Sequence, residues 1–75
     1  MKVVIIVERN ERGGIFKQMI STRNPLFRGN GLFSYEEVDM LTGECTEKWD
    51  SLPDEWTLET TDRVDIDWYI DNPNL

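Results

Sequence analysis

"SYEEVDMLTGECTEKW", residues 34–49, admits two readings, and the choice between them decides the fold. Ser34 with Glu37 three residues later is the spacing of a capping box, and Phe33 against Val38 would staple the start of a helix. That helix would last barely two turns before Gly43, and so short a helix gains little on its own. Asp39-x-x-Thr42-Gly43-Glu44 has the chemistry of a hairpin turn instead. The Asp side chain accepts from turn amides, and glycine supplies the positive φ of a type I turn followed by a bulge. "ECTEKW" then alternates as a strand and shows no helical stripe. The expectation is a hairpin with strands over 33–40 and 44–49; a distorted helical turn near Ser34 is the alternative.

Upstream, "KVVIIVE" (2–8) is a continuous β-branched run, too short for a comfortable helix, and reads as a central strand. "RNERGG" turns the chain into a second strand at 15–22, with Phe16 and Ile20 on one side and Lys17 on the other. "TRNPLFRGNG" (22–31) is punctuated by Asn24-Pro25 and Gly29-Asn30-Gly31 and reads as a basic loop carrying Arg23, Phe27 and Arg28. Downstream, "DSLPDEW" (50–56) is a connection or single helical turn around Pro53. In "RVDIDWYID" (63–71), Val64, Ile66, Trp68 and Ile70 fall on one strand face, and Arg63, Asp65, Asp67, Tyr69 and Asp71 on the other. A last strand over 57–70 follows. The chain therefore reads as one mainly β domain, 1–75: a small antiparallel sheet or partly open barrel of four to five strands in meander order, with at most one short helical turn.

Charge is the second signal. Residues 1–31 carry six basic and two acidic side chains; residues 32–75 carry two basic and thirteen acidic ones, giving −7 in total. If the two parts lie side by side they neutralise each other in part, and an acidic surplus remains. With 75 residues the core is only marginally stabilising. No run approaches the roughly 20 apolar residues of a membrane span, and "KVVIIVERN" is too short and too charged for a secretory leader. The lone Cys45 has no intrachain partner, so a reducing cytoplasm is the expected compartment.

Catalytic chemistry is hard to assemble from these residues. There is no histidine, the commonest general base and zinc ligand. Cys45, between Glu44 and Glu47, has surroundings that raise a thiol pKa and reads as a small buried or half-buried side chain. Carboxylates are plentiful, but so small a chain is expected to lack the walls that would desolvate one of them. Asp65-x-Asp67 offers two oxygens to Mg²⁺ or Ca²⁺ without an EF-hand spacing, and "GNG" lacks the context of a phosphate loop. The expectation is no enzyme, no cofactor and no metal.

The acids point to binding. On a strand, Asp65 and Asp67 would stand about 6.6–7 Å apart, of the same order as the phosphate spacing of a nucleic-acid strand. Such a face fits a basic groove built for DNA or RNA, with aromatics as anchors. The candidate partner-binding residues are Asp65, Asp67, Asp71, Tyr69, Glu59, Asp62, Glu55, Trp56, Glu37 and Asp39. A tiny, acidic, cytoplasmic chain without catalytic residues is similar in type to small phage or mobile-element inhibitors of host nucleic-acid enzymes, which implies a DNA-mimicking role against a partner with a basic surface. One rival is a small barrel that binds nucleic acid through Arg23, Phe27 and Arg28 in the loop 23–30. Another is a homo-oligomeric subunit in which the basic and acidic parts meet.

Overall fold

The computed structural model describes residues 1–71. It is an antiparallel sheet curled into an open half-barrel, with one short helix at the end of the described chain. The strands are β1 (Lys2–Arg9), β2 (Ile15–Ser21), β3 (Leu26–Gly29), β4 (Leu32–Val38), β5 (Cys45–Ser51), β6 (Thr57–Thr60) and β7 (Val64–Asp65), followed by α1 (Ile66–Asp71).

The run at 2–8 is central, as its composition predicts. β2 pairs with one edge of β1, while β6 and β7 share the other, joined through Thr61, whose N–H donates to the Ile5 carbonyl. Both faces of β1 are buried. Val4 and Ile6 meet Met19, Phe33 and Tyr35 on the concave side; Val3, Ile5 and Val7 meet Val38 on the convex side, under Val64, Ile66 and Tyr69. Removing such a strand from water on both faces is the largest apolar gain this chain can make.

The decisive stretch is a hairpin. β4 and β5 pair from Leu32↔Ser51 to Val38↔Cys45. Asp39 organises the turn: its Oδ1 accepts from the Leu41 amide at 2.8 Å and the Thr42 amide at 3.2 Å, and Gly43 sits at φ 76°. The meander holds through β5, with β3 continuing β2 along the same edge of β4; the chain then returns to β1. The return, Leu52–Trp56, has five residues and reaches at most about 20 Å. In a flat sheet it would have to cross β4, β2 and β1, so the sheet curls and Leu52 packs against the concave core beside Leu58.

Three expectations need correction. Residues 22–31 are not all loop, because Leu26–Gly29 pair with β4 as β3. Cys45 is exposed, not buried or half-buried, because β5 has no neighbour on its outer edge among the described residues. The strand expected over 57–70 breaks after Thr60, resumes for Val64–Asp65 and becomes helix from Ile66. The cause lies in the partner: Asp65 already faces Lys2, and the Ile66 amide takes the Met1 carbonyl at 2.9 Å. The β1–β7 pairing goes no further than Lys2↔Asp65, and from Ile66 a helix satisfies its own backbone groups. Its inward residues are then Ile66 and Tyr69, three apart, while Trp68 and Ile70 are exposed.

Candidate acidic interface

β1 measures where the expected partner-binding residues fall. Glu55, Trp56 and Glu59 belong to its Arg9 end, where Thr57 pairs with Arg9. Asp65, Asp67, Tyr69 and Asp71 belong to its Lys2 end. At about 3.3 Å per residue, the ends of this strand are roughly 23 Å apart, so the acids form two groups and not one continuous face. The Lys2 end also draws in the β4–β5 hairpin: Val38, between Glu37 and Asp39, shares a core cluster with Ile66 and Tyr69. Asp62 lies between the two groups, lining an open polar recess of about 220 Å³ with Val4, Asn24, Thr60, Thr61 and Arg63.

The strand ladder of carboxylates does not exist. Asp65 sits in β7, 3.5 Å from the Lys2 Nζ, and Asp67 is in the first turn of α1. Asp67 and Asp71, four apart on the helix, share a face with neighbouring side chains. Tyr69 is half-buried against the core with its hydroxyl 3.4 Å from Gln18 Oε1, so it is not an exposed anchor. Trp56 is also held from within: it lies 4.9 Å from the Phe16 ring and its Nε1 donates to Glu11 at 2.6 Å.

The ion pairs have one pattern. Lys2–Asp65, Arg9–Glu59, Lys17–Asp50 and Arg23–Glu47 each join a base from the first 31 residues to an acid from the rest. The two parts of the sequence therefore do neutralise each other by lying side by side. Four of the fifteen carboxylates are matched in this way, which leaves eleven outside the ion pairs among the described residues. Arg23 and Arg28, the bases of the expected nucleic-acid loop, are both engaged. Arg23 reaches Glu47, and the Arg28 Nε donates to the Ser34 hydroxyl at 2.8 Å while its guanidinium lies 5.1 Å from the Trp49 ring centre. Phe27, 69% exposed, is the freest aromatic of that rival site.

Inside the half-barrel is a polar cluster that the sequence reading missed. Glu8 faces Lys17 across β1 and β2, and Lys17 makes a close ion pair with Asp50 of β5. Glu8 is only 2% exposed, so this small chain does desolvate a carboxylate, contrary to expectation. Burial pushes the Glu8 pKa up; Asp50 adds to the rise and Lys17 opposes it. Hydrogen bonding to Asp50 raises the Lys17 pKa, and burial raises that of Tyr35 beside them. The signal was available: Glu8 extends the face of Val4 and Ile6 by one more alternate position.

Among the described residues, no group of three or more His, Cys, Asp or Glu side chains is placed to hold a metal ion. No helix there is long and apolar enough to cross a membrane. Protein-family models, curated proteins and solved structures show no match to this chain.

Proposed function

We propose that this protein is a non-enzymatic binding module that docks an acidic surface on the basic, nucleic-acid-binding surface of a partner protein and thereby inhibits it. One observation carries the reading: every ion pair spends a base of the first part on an acid of the second, and of the eleven carboxylates left over only Glu8 is buried. Fixed surplus charge of one sign speeds encounter with an oppositely charged surface and repels nucleic acid. The docking surface is the Lys2 end, where Asp67 and Asp71 of α1 lie beside Asp65, with Asp39 on the adjoining hairpin. Exposed Trp68 and Ile70 add apolar contact there. The exposed single Cys45 suits a reducing cytoplasm, and the likeness in type to small phage inhibitors is the natural setting.

The test has two parts. Salt-titrated binding to DNA and RNA is expected to show no measurable affinity; an affinity falling steeply with salt would favour the loop of Arg23, Phe27 and Arg28 instead. Capture of a basic nucleic-acid-binding protein from a host lysate is expected with the wild type and lost with Asp67→Lys/Asp71→Lys. Equal capture by both baits sinks the acidic-surface reading.

A further inference from the structure

The convex side of the sheet is covered over part of its width. Val64, Ile66 and Tyr69 lie over Val3, Ile5, Val7 and Val38. Beyond Val38, over β3, β5 and the start of β4, this cluster does not extend, and Leu26, Leu32 and Trp49 remain 46%, 37% and 54% exposed. Register lines them up: Leu26 is opposite Ser34 and Ser34 is opposite Trp49, one row across three strands. Trp49 is held firmly in that row, with Arg28 over its ring and its Nε1 donating to Glu47 at 2.9 Å. Arg28 in turn is fixed by the fully buried Ser34 hydroxyl. A half-exposed tryptophan already immobilised loses little entropy on binding.

Charges on the two sides of the row are opposite in sign. On the Leu32 side stands Arg28, which has no carboxylate partner among the described residues. On the other side Glu36 and Glu47 face each other directly across β4 and β5, a like-charge pair with one cation, Arg23 on Glu47, while Glu36 accepts from the Thr22 hydroxyl. A two-fold axis laid along the Leu26–Ser34–Trp49 row exchanges the two sides. Arg28 of one chain then meets Glu36 of the other, twice over, while Leu26 and Trp49 lie on their own copies.

We propose that two copies of this chain pack these faces together as a symmetric dimer. The occupant that covers this face is a second copy, and its Arg28 supplies a second cation to the Glu36–Glu47 pair, which has Arg23 alone within one chain. The residues that make this contact, Leu26, Arg28, Glu36 and Trp49, are not those of the acidic docking surface proposed above. Its evidence is independent of that docking reading, and its test needs no partner.

The apolar patch is small, so association is concentration-dependent and best followed by sedimentation equilibrium from about 10 μM to about 1 mM. In about 0.15 M salt the Debye length of about 8 Å damps the repulsion between the two net negative chains. The mass is expected to rise from 8.8 kDa towards twice that value. Trp49→Ser and Glu36→Arg, neither of which removes a core side chain, are each expected to weaken association at least about tenfold. Arg28→Glu is expected to do the same, and Arg28→Glu/Glu36→Arg to restore it to within about threefold of the wild type. If Arg28→Glu does not fold by circular dichroism, Glu36→Arg alone carries the test, because it leaves the Ser34 contact intact. Monomer at every concentration overturns the proposal, as does a dimer indifferent to Trp49→Ser and Glu36→Arg. Failure of the double variant to restore association overturns the Arg28–Glu36 pairing.

Discussion

Lys17–Asp50 and Lys2–Asp65 are both lysine–aspartate contacts between the first and second parts of the chain, but their settings differ. The first lies in the half-barrel, beside buried Glu8, and ties β2 to β5 across the concave core. The second lies on the outside of β1 with both side chains about 60% exposed. In water an ion pair gives up almost as much hydration as it gains in attraction; where water is excluded, losing one partner leaves a charge with nothing to replace it. The side-chain chemistry is identical, so burial is the difference that matters between the two.

Lys17→Met tests the difference most severely. It leaves Glu8 and Asp50 facing each other without a cation and is expected to cost about 2–3 kcal/mol in urea unfolding, short of the roughly 3–5 of a fully buried pair because Lys17 keeps 40% of its side chain exposed. A loss no larger than that of Lys2→Met would erase the distinction. Glu8→Gln sharpens it with the opposite sign, since the cluster then carries one base and one acid. It is expected to raise stability at pH 7 by about 1 kcal/mol, the usual scale of a single substitution. The gain depends on pH. A carboxyl whose folded pKa lies above its unfolded value of 4.5 binds more protons folded than unfolded, so the wild type is penalised as pH rises through the folded pKa. The advantage of Glu8→Gln should therefore shrink as pH falls to 4.5 and below; an advantage constant from pH 4 to 8 would mean that Glu8 does not titrate differently on folding. Arg9→Met, which breaks the half-exposed 2.7 Å contact with Glu59 and the bond to the Gly13 carbonyl, is expected to cost about 0.5–1 kcal/mol. Lys2→Met comes last, at or below about 0.5 kcal/mol and vanishing in high salt; a larger loss would show that the β1–β7 end depends on that pair.

How far each region was legible follows from where its determinants lie. The β1 run needed no partner to be read, since burial on both faces leaves an unbroken apolar string. The 39–44 turn was legible because Asp39 and Gly43 act within four residues of one another. Residues 64–71 misled because period-two alternation is necessary for a strand but does not supply a neighbour; the pattern ran on after β1 had ended. The surplus of acid was visible in the charge of the two parts. Its division between the two ends of β1 was not, because it depends on register between residues some 50 positions apart. Likewise, nothing local to Arg28 announced Trp49, which the β4 pairings bring alongside.

The second edge of β1 has a consequence for synthesis. Ile5 gives its amide to the Thr61 hydroxyl, 56 positions later, and β6 and β7 are the strands that close this edge. A nascent chain can zip β1 to β2 and fold the β4–β5 hairpin early, yet its most apolar strand keeps one side unpaired until residues 57–65 have emerged. Contacts that distant slow the final step and expose a template for strand addition meanwhile. A ribosome stalled before Thr57 would therefore release a fragment with a sticky flank and not a smaller version of the domain.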